Sequence, residues 1–167
     1  MQDYYEPRVG EKAPNFRLPS TEGKELTLAD FKGKDLVLYF YPKDDTPGCT
    51  KEACAFRDLS SDLTKAGAAV VGVSTDDLKS HQKFREKYNL NFPLLSDTTA
   101  DVCKMFGAWK EKNLYGRRSW GVARKTILIG PDRMIRRVYN RVDPTTHGDQ
   151  ILRDLKELRE GSKKKRA

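Results

Sequence analysis

The chain has 167 residues, of which 37% are hydrophobic and 34% are charged, a composition typical of one compact domain and not of a disordered chain. Its net charge is +8, and the C-terminal stretch GSKKKRA contributes four of the positive charges. We expect a single domain over residues 1–160, followed by a solvated basic tail over residues 161–167. No apolar run approaches the ~20 residues of a membrane-spanning helix, and the N-terminus lacks the pattern of a secretory signal, which indicates a cytoplasmic protein.

The first half of the chain alternates predicted strands and helices. FRLPSTEGKELTL predicts two short strands joined by a turn at Thr21–Lys24. The continuous apolar run DLVLYFY (35–41) is typical of a strand buried on both faces. Residues 49–66 carry apolar side chains at spacings of three and four, which predicts a helix, and AAVVGVS (68–74) predicts a second buried strand.

The second half begins with a predicted helix over LKSHQKFREKY, for which Thr75 or Asp76 could serve as the N-cap. FPLLSD predicts a short strand, and ADVCKMFGAW predicts a short helix that ends near Gly107. The segments KTILIG (125–130) and MIRRVYN (134–140) predict a hairpin.

Residues 146–160 predict a closing amphipathic helix. The apolar face of this helix carries Ile151, Leu152, Leu155 and Leu158. Strands that alternate with helices, followed by a hairpin and a last helix, predict an α/β fold, a three-layer sandwich with a central mixed sheet. The loop after the strand at 35–41 lies at the carboxyl end of that strand, where functional sites collect in such sheets.

Cys49 lies in this region, at the predicted start of a helix. A thiol reacts as the thiolate, and the amides and dipole at a helix N-terminus favour negative charge. Gly48 would let the chain approach a ligand closely, Thr46 offers a hydroxyl, and Pro42 stiffens the loop. A nearby cation would complete the activation of the thiol, and Arg124 is a candidate for it.

The stretch TPGCTKEACAF places Cys54 five positions after Cys49. In a helix their Cα atoms would lie about 8.6 Å apart, whereas a disulfide needs less than about 7 Å. The two cysteines therefore cannot bond while residues 49–54 are helical, so a disulfide requires the first turns to unwind. This predicts a cycle in which Cys49 becomes a sulfenic acid and Cys54 resolves it. The alternative is that Cys54 is a small residue on a helix face.

Cys103, in ADVCKMF, is expected to be a core residue, with a role as a second resolving thiol as the alternative. The only histidines are His81 and His147, and neither stands at zinc-ligand spacing from a cysteine. We therefore expect no structural zinc site.

A family resemblance follows from these residues. Pro42, Thr46 and Cys49 match the peroxiredoxin pattern P-x-x-x-T-x-x-C. The longer stretch FYPKDDTPGCTKEACAFRD resembles the Q-type subfamily, also called bacterioferritin comigratory protein. The likeness runs from GEKAPNFRLP through LLSDTTADVCKMFGAW to RKTILIGPD, which is most of the chain.

The resemblance implies a thioredoxin-like fold and a thiol peroxidase. It implies that Cys49 attacks the peroxide, that Thr46 and Arg124 bind the peroxide and hold the thiolate, and that Pro42 shields the site. It also implies that Cys54 resolves the sulfenic acid and that thioredoxin or a similar dithiol reductant restores the thiols. No metal, haem or flavin cofactor is implied.

Two details of the site stay open at this point. Glu52 would orient the arginine, by the same resemblance, and Arg117 and Arg118 are rivals of Arg124 for the arginine role. Because the resolving cysteine lies in the same chain, the chemistry requires no dimer, and we expect a monomer or a weak dimer.

Two other functions are compatible with parts of the sequence. A thioredoxin-like protein disulfide oxidoreductase is the main alternative, and the lack of a C-x-x-C motif counts against it. A nucleic-acid-binding or chaperone-like module is suggested only by the positive charge. The arginines that suggest it are expected to form a solvated strand face, so no specific nucleic-acid partner is predicted. They are Arg133, Arg136, Arg137 and Arg141.

Overall fold

A computed structural model describes the backbone of residues 5–166 and their side chains, residues 114 and 162–166 excepted. The strands are β1 (Arg17–Pro19), β2 (Glu25–Thr27), β3 (Asp35–Phe40), β4 (Ala68–Ser74), β5 (Leu94–Ser96), β6 (Trp109–Leu114), β7 (Arg117–Val122), β8 (Lys125–Ile129) and β9 (Ile135–Tyr139). The helices are α1 (Pro47–Asp58), α2 (Ser60–Lys65), α3 (Leu78–Tyr88), α4 (Asp101–Met105) and α5 (His147–Arg166).

Five strands form the central sheet, in the order β5-β4-β3-β8-β9. β3 lies in the middle, where it pairs in parallel with β4 and antiparallel with β8, so the sheet is mixed. Its side chains alternate between two buried clusters, one on each face of the sheet. Leu36, Leu38 and Phe40 enter one cluster, and Val37 and Tyr39 enter the other.

Each face of the sheet is covered by a separate layer. The β1–β2 hairpin and α4 cover one face, where Leu18 and Val102 join the cluster of Phe40. Helices α1, α3 and α5 cover the other face with Phe56, Phe84 and Ile151. The predicted α/β class, with a central mixed sheet between two layers, is therefore confirmed.

Most predicted elements occur where the sequence indicates them, but some of their details were wrong. The single helix predicted over residues 49–66 is two helices, α1 and α2, which meet at Leu59. The N-cap of α3 is neither Thr75 nor Asp76 but Asp77, whose side chain accepts a hydrogen bond from the Ser80 N–H. Any short polar side chain in that run can cap a helix, so the spacing alone does not select one.

The antiparallel hairpin β6–β7 was not predicted. Its side chains are mostly exposed and polar, so it lacks the alternation that marks a half-buried strand. The last helix continues through Arg166, beyond the predicted end at residue 160, and buries Ile151 and Leu155 as expected. The division into a domain over 1–160 and a tail over 161–167 stays a prediction. Among the described residues, no helix is both long and apolar enough to cross a bilayer.

Candidate active site

The loop after β3 leads directly into α1. Thr46 has extended backbone angles and is the N-cap, and Pro47 is the first helical residue, where its missing N–H costs nothing. The Thr46 carbonyl accepts a hydrogen bond of 2.8 Å from the Thr50 N–H. The Thr46 hydroxyl donates to the Lys43 carbonyl oxygen at 2.9 Å, inside the loop. Cys49 therefore lies in the first turn of α1, as the sequence predicts.

Arg124 contacts the thiol of Cys49. Its Nη2 donates a hydrogen bond of 3.4 Å to the Cys49 sulfur, and its Nη1 donates to the Glu52 carboxylate at 3.0 Å. The arginine comes to this place because it precedes β8, whose first residue, Lys125, pairs with Phe40 at the end of β3. The end of β3 and the start of β8 therefore meet at the base of α1.

Burial shapes the electrostatics of this group. Cys49 and Glu52 are each 1% exposed. Burial raises the pKa of Glu52 to about 7, although Arg124 acts in the opposite direction. Burial works against the charge of Arg124, but the Cys49 sulfur and the Glu52 carboxylate outweigh it and raise the pKa of Arg124 above its ordinary value. The guanidinium thus remains a cation beside the sulfur, where it favours the thiolate.

Glu52 is only half satisfied. Its Oε1 pairs with Arg124, but its Oε2 is buried with no hydrogen-bond partner among the described residues. A buried carboxylate oxygen without a donor costs free energy. The helical state of α1 seen here, which we call its closed form, is therefore destabilised at Glu52.

Gly48 also makes room for a side chain of the protein itself. A Cβ at this position would lie 3.0 Å from Arg124 Nη2 and 3.7 Å from Cγ of Pro144. The close approach that glycine permits is therefore the approach of Arg124 itself, and not only that of a ligand. Pro144 belongs to the loop before α5, and no local pattern in the sequence predicts that it lies beside Gly48.

The other predicted residues lie on either side of Cys49 along the chain. Pro42 is half-buried at the start of the loop, and Cys54 is half-buried further along α1. All three cysteines, including Cys54, are free thiols. The structure thus brings Arg124 into contact with both Cys49 and Glu52, while Thr46, Pro42 and Cys54 flank Cys49 along the chain.

The rival arginines are excluded from this place. Arg117 and Arg118 are exposed on β7, where Arg118 faces Glu111 of β6 at 3.6 Å. The arginine at the thiol is Arg124, as the family resemblance implies.

Cys103 is a core residue, as expected. Its side chain is 0% exposed in the cluster that contains Phe106, and its backbone N–H donates to Asp97 at 2.7 Å. Burial, together with the neighbouring Asp97 carboxylate, raises the pKa of this thiol far above its ordinary value. A thiol in that setting is a poor nucleophile at neutral pH.

A second polar cluster beside the loop was missed by the sequence reasoning. Asp44, Asp76 and His81 place possible metal-ligating atoms within 4.8 Å of one another. The Asp44 and Asp76 oxygens already accept hydrogen bonds from Tyr41, Ser80 and Ser74, so the contacts describe a closed hydrogen-bond network. The one signal in the sequence is that His81 and Phe84 stand three positions apart, on one face of α3.

Comparisons with known proteins agree with this geometry. The sequence profile of the AhpC/TSA family matches residues 9–138. The chain therefore belongs to the AhpC/TSA family.

Individual relatives narrow this assignment to the Bcp/PrxQ peroxiredoxins. The putative peroxiredoxin bcp of Coxiella burnetii is 51% identical over 144 residues, which cover 86% of this chain and 95% of that protein. Peroxiredoxin Bcp of Escherichia coli strain K12 is 43% identical over 150 residues, which cover 90% of this chain and 96% of that protein.

Solved structures show the same fold. The bacterioferritin comigratory protein of Xanthomonas campestris matches with a TM-score of 0.81 and 40% identity, over 85% of this chain and 90% of its own. A PrxQ mutant of Xylella fastidiosa matches with a TM-score of 0.86 and 37% identity, over 92% of this chain and 98% of its own. The thioredoxin-like fold and the class of thiol peroxidase, both expected from the sequence, are thereby confirmed.

Proposed function

We propose that this peroxiredoxin reduces hydrogen peroxide and organic hydroperoxides through Cys49, with Cys54 as the resolving residue. The observation that carries the first step is the contact of 3.4 Å between Arg124 Nη2 and the Cys49 sulfur, in the first turn of α1. The bacterioferritin comigratory protein of Xanthomonas campestris is described as having alkyl peroxide reduction activity, which supports the same substrate class here.

In the first step the Cys49 thiolate attacks one peroxide oxygen. An S–O bond forms, the O–O bond breaks, and the leaving oxygen takes up a proton to give water or an alcohol. The product is the sulfenic acid of Cys49. Arg124 stabilises the thiolate and the negative charge on the leaving oxygen, Thr46 offers its hydroxyl to the peroxide, and Pro42 shields the site from water.

In the second step the thiol of Cys54 attacks the sulfenic sulfur. An S–S bond forms, the S–O bond breaks, and water leaves. Both cysteines lie within α1, where this spacing holds the Cα atoms about 8.6 Å apart, beyond the reach of a disulfide. The first turns of α1 must therefore open, and the buried, half-satisfied Glu52 favours opening because water can then solvate its carboxylate.

A dithiol reductant completes the cycle. Thioredoxin or a similar protein would attack the Cys49–Cys54 disulfide, leave as a disulfide itself, and return both cysteines to thiols. The cytoplasmic location and the monomeric or weakly dimeric state stay predictions from the sequence.

Direct exchange with a protein disulfide is the less favoured function. Cys49 is 1% exposed in the closed form, so a protein disulfide has poor access to its sulfur. A small peroxide needs much less room than a folded partner. The geometry therefore favours the peroxidase.

One experiment tests both steps. Wild type and Cys49→Ser are given hydrogen peroxide with a thiol reductant, and peroxide consumption is followed while the oxidised protein is mapped by peptide mass spectrometry. We expect consumption by wild type only, together with a peptide that joins Cys49 to Cys54. Turnover by Cys49→Ser would refute the assignment of the nucleophile, and an oxidised wild type without the joined peptide would refute the resolving step alone.

A further inference from the structure

A buried imidazole connects the loop before α1 to the rest of the fold. His81, on α3, is 0% exposed. Its Nδ1 lies 2.7 Å from Oδ2 of Asp44, which belongs to the loop. Its Nε2 lies 2.9 Å from the carbonyl oxygen of Leu95, on β5. The loop, α3 and β5 are therefore joined through a single ring.

Each ring nitrogen of His81 has its own oxygen partner. Nδ1 lies beside the Asp44 carboxylate and Nε2 lies beside the Leu95 carbonyl, so the two contacts can be removed separately. A hydrogen bond to a carboxylate is stronger than one between neutral groups. Because Asp44 and His81 are both buried, loss of this contact leaves a buried polar group with one partner fewer.

Asp44 is held on all sides. Its Oδ1 accepts from the Tyr41 hydroxyl at 2.6 Å, and its Oδ2 also accepts from the Ser80 hydroxyl at 2.7 Å. Its backbone N–H donates to Asp76 at 2.8 Å. The conformation of the loop at Asp44 is thus fixed by side chains from three other parts of the chain.

The next residue makes a second connection to α3. Asp45 has a φ of +58°, in the left-handed region that non-glycine residues rarely adopt. Its carboxylate accepts from Lys87 and from the Tyr88 hydroxyl, each at 2.7 Å. Thr46, the N-cap of α1, follows at once. The backbone that begins α1 is therefore anchored to α3 immediately before the helix starts.

We propose that His81, acting through Asp44, is a positioning residue that holds the first turn of α1 closed and so sets how fast oxidised Cys49 reaches Cys54. This inference rests on the proposed function.

The sulfenic acid of Cys49 has two fates. When α1 opens, the Cys54 thiol displaces the hydroxyl as water and the disulfide forms. While α1 stays closed, a second peroxide can transfer an oxygen to the sulfur, which gives a sulfinic acid and leaves water or an alcohol. A tight anchor favours the second fate, and a loosened anchor favours the first.

Two variants of similar size separate the two contacts of the ring. In His81→Asn the side-chain amide can occupy the place of Nδ1 and still donate to Asp44, but the hydrogen bond to the Leu95 carbonyl is lost. In His81→Gln the amide can occupy the place of Nε2 and still donate to Leu95, but it loses Asp44. Asp44→Asn, which keeps the shape and removes the charge opposite His81, is a third variant in case His81→Gln does not fold.

Three quantities are measured on the full chain. They are the rate of disulfide formation after one equivalent of hydrogen peroxide, the peroxide dose that converts half of Cys49 to sulfinic acid, and the hydrogen exchange of the Thr50 amide. Losing a buried hydrogen bond to a carboxylate shifts such an opening equilibrium by about tenfold. We expect His81→Gln and Asp44→Asn to form the disulfide up to about tenfold faster. Both variants should need a higher peroxide dose to convert half of Cys49 to sulfinic acid, and their Thr50 amide should exchange faster. His81→Asn should stay within about twofold of wild type.

The control is Leu28→Ala, a buried position in the cluster on the opposite face of the sheet, which lowers stability without touching the anchor. Equal rates for His81→Asn and His81→Gln, or rates that follow global stability as Leu28→Ala does, would overturn the proposal. A wild type that forms no Cys49–Cys54 disulfide would instead overturn the resolving step of the proposed function, and the anchor's role with it.

Discussion

The guanidinium of Arg124 reaches the sulfur of Cys49 across 75 positions of sequence, at 3.4 Å. The approach is possible because β8 runs beside β3, so the residue before β8 meets the helix that follows β3. The same guanidinium holds Glu52 with its other terminal nitrogen. A cation in a fixed orientation thus lies beside the reactive thiol before any peroxide arrives.

Replacing Arg124 with Gln should slow the oxidation of Cys49 by about 100-fold or more, because a positioned donor at a developing anion is lost. The rate of Arg124→Lys should lie between those of wild type and Arg124→Gln, since lysine keeps the charge but lacks the planar guanidinium group. Stopped-flow measurement of Cys49 oxidation by hydrogen peroxide gives the rate. The control is Arg117→Gln on the exposed β7, which should match wild type; an equal loss there would point to a general effect of charge.

Gly48→Ala should impair the same step without destabilising the fold. The added Cβ would lie 3.0 Å from Arg124 Nη2, the nitrogen that also contacts the Cys49 sulfur, so the guanidinium must shift by a few tenths of an ångström. We expect the rate of Cys49 oxidation to fall about tenfold, the equivalent of a displaced donor. Gly161→Ala is the matched control, since that glycine is also helical and has nothing within 4 Å of its added Cβ. Wild-type kinetics for Gly48→Ala would mean that the arginine has room to shift harmlessly.

Glu52 should make stability depend on pH. Burial raises its pKa from 4.5 to about 7, so the folded chain binds a proton that the unfolded chain has released between those values. The stabilisation that comes from this bound proton is complete below pH 4.5 and is lost as the pH rises through about 7. Glu52→Gln should remove this dependence, which is on the order of 3 kcal/mol between pH 4.5 and pH 8. Urea unfolding across that range measures it, and parallel curves for the two proteins would contradict the assignment.

Cys54→Ser should stop the cycle after one oxidation. Cys49 should still form the sulfenic acid, but no intramolecular disulfide can follow, so sulfinic acid should accumulate at peroxide doses that wild type survives. Cys103→Ser should complete the cycle normally, because Cys103 is buried in the opposite cluster. Mass spectrometry of both variants distinguishes the products. Recycling of Cys54→Ser by thioredoxin at the wild-type rate would require a different resolving thiol.

The sequence predicts those parts of the fold that follow from local patterns. β3 and β4 are visible as continuous apolar runs because both of their faces are buried. The hairpin β6–β7 is invisible because its polar, exposed side chains give no periodic signal. The break at Leu59 is also hidden, since apolar spacing continues from α1 into α2.

The site divides in the same way. The N-cap Thr46 and the helix start at Cys49 are local features, so their arrangement could be predicted. The contact of Arg124 with Cys49 joins distant segments, and only the family resemblance distinguished Arg124 from its rivals. The contact between His81 and Asp44 spans 37 positions, and the spacing of His81 and Phe84 indicates only a shared face of α3, not the partner of the ring.

Leu59, where α1 meets α2, limits how much of the chain has to unfold in each catalytic cycle. Its N–H closes the end of α1, and its carbonyl accepts from the Leu63 N–H at 2.9 Å to begin α2. Because Leu63 is 1% exposed, α2 has its own attachment to the fold. A hinge at Leu59 would confine the rearrangement to the twelve residues of α1 and spare the rest of the protein from repeated refolding.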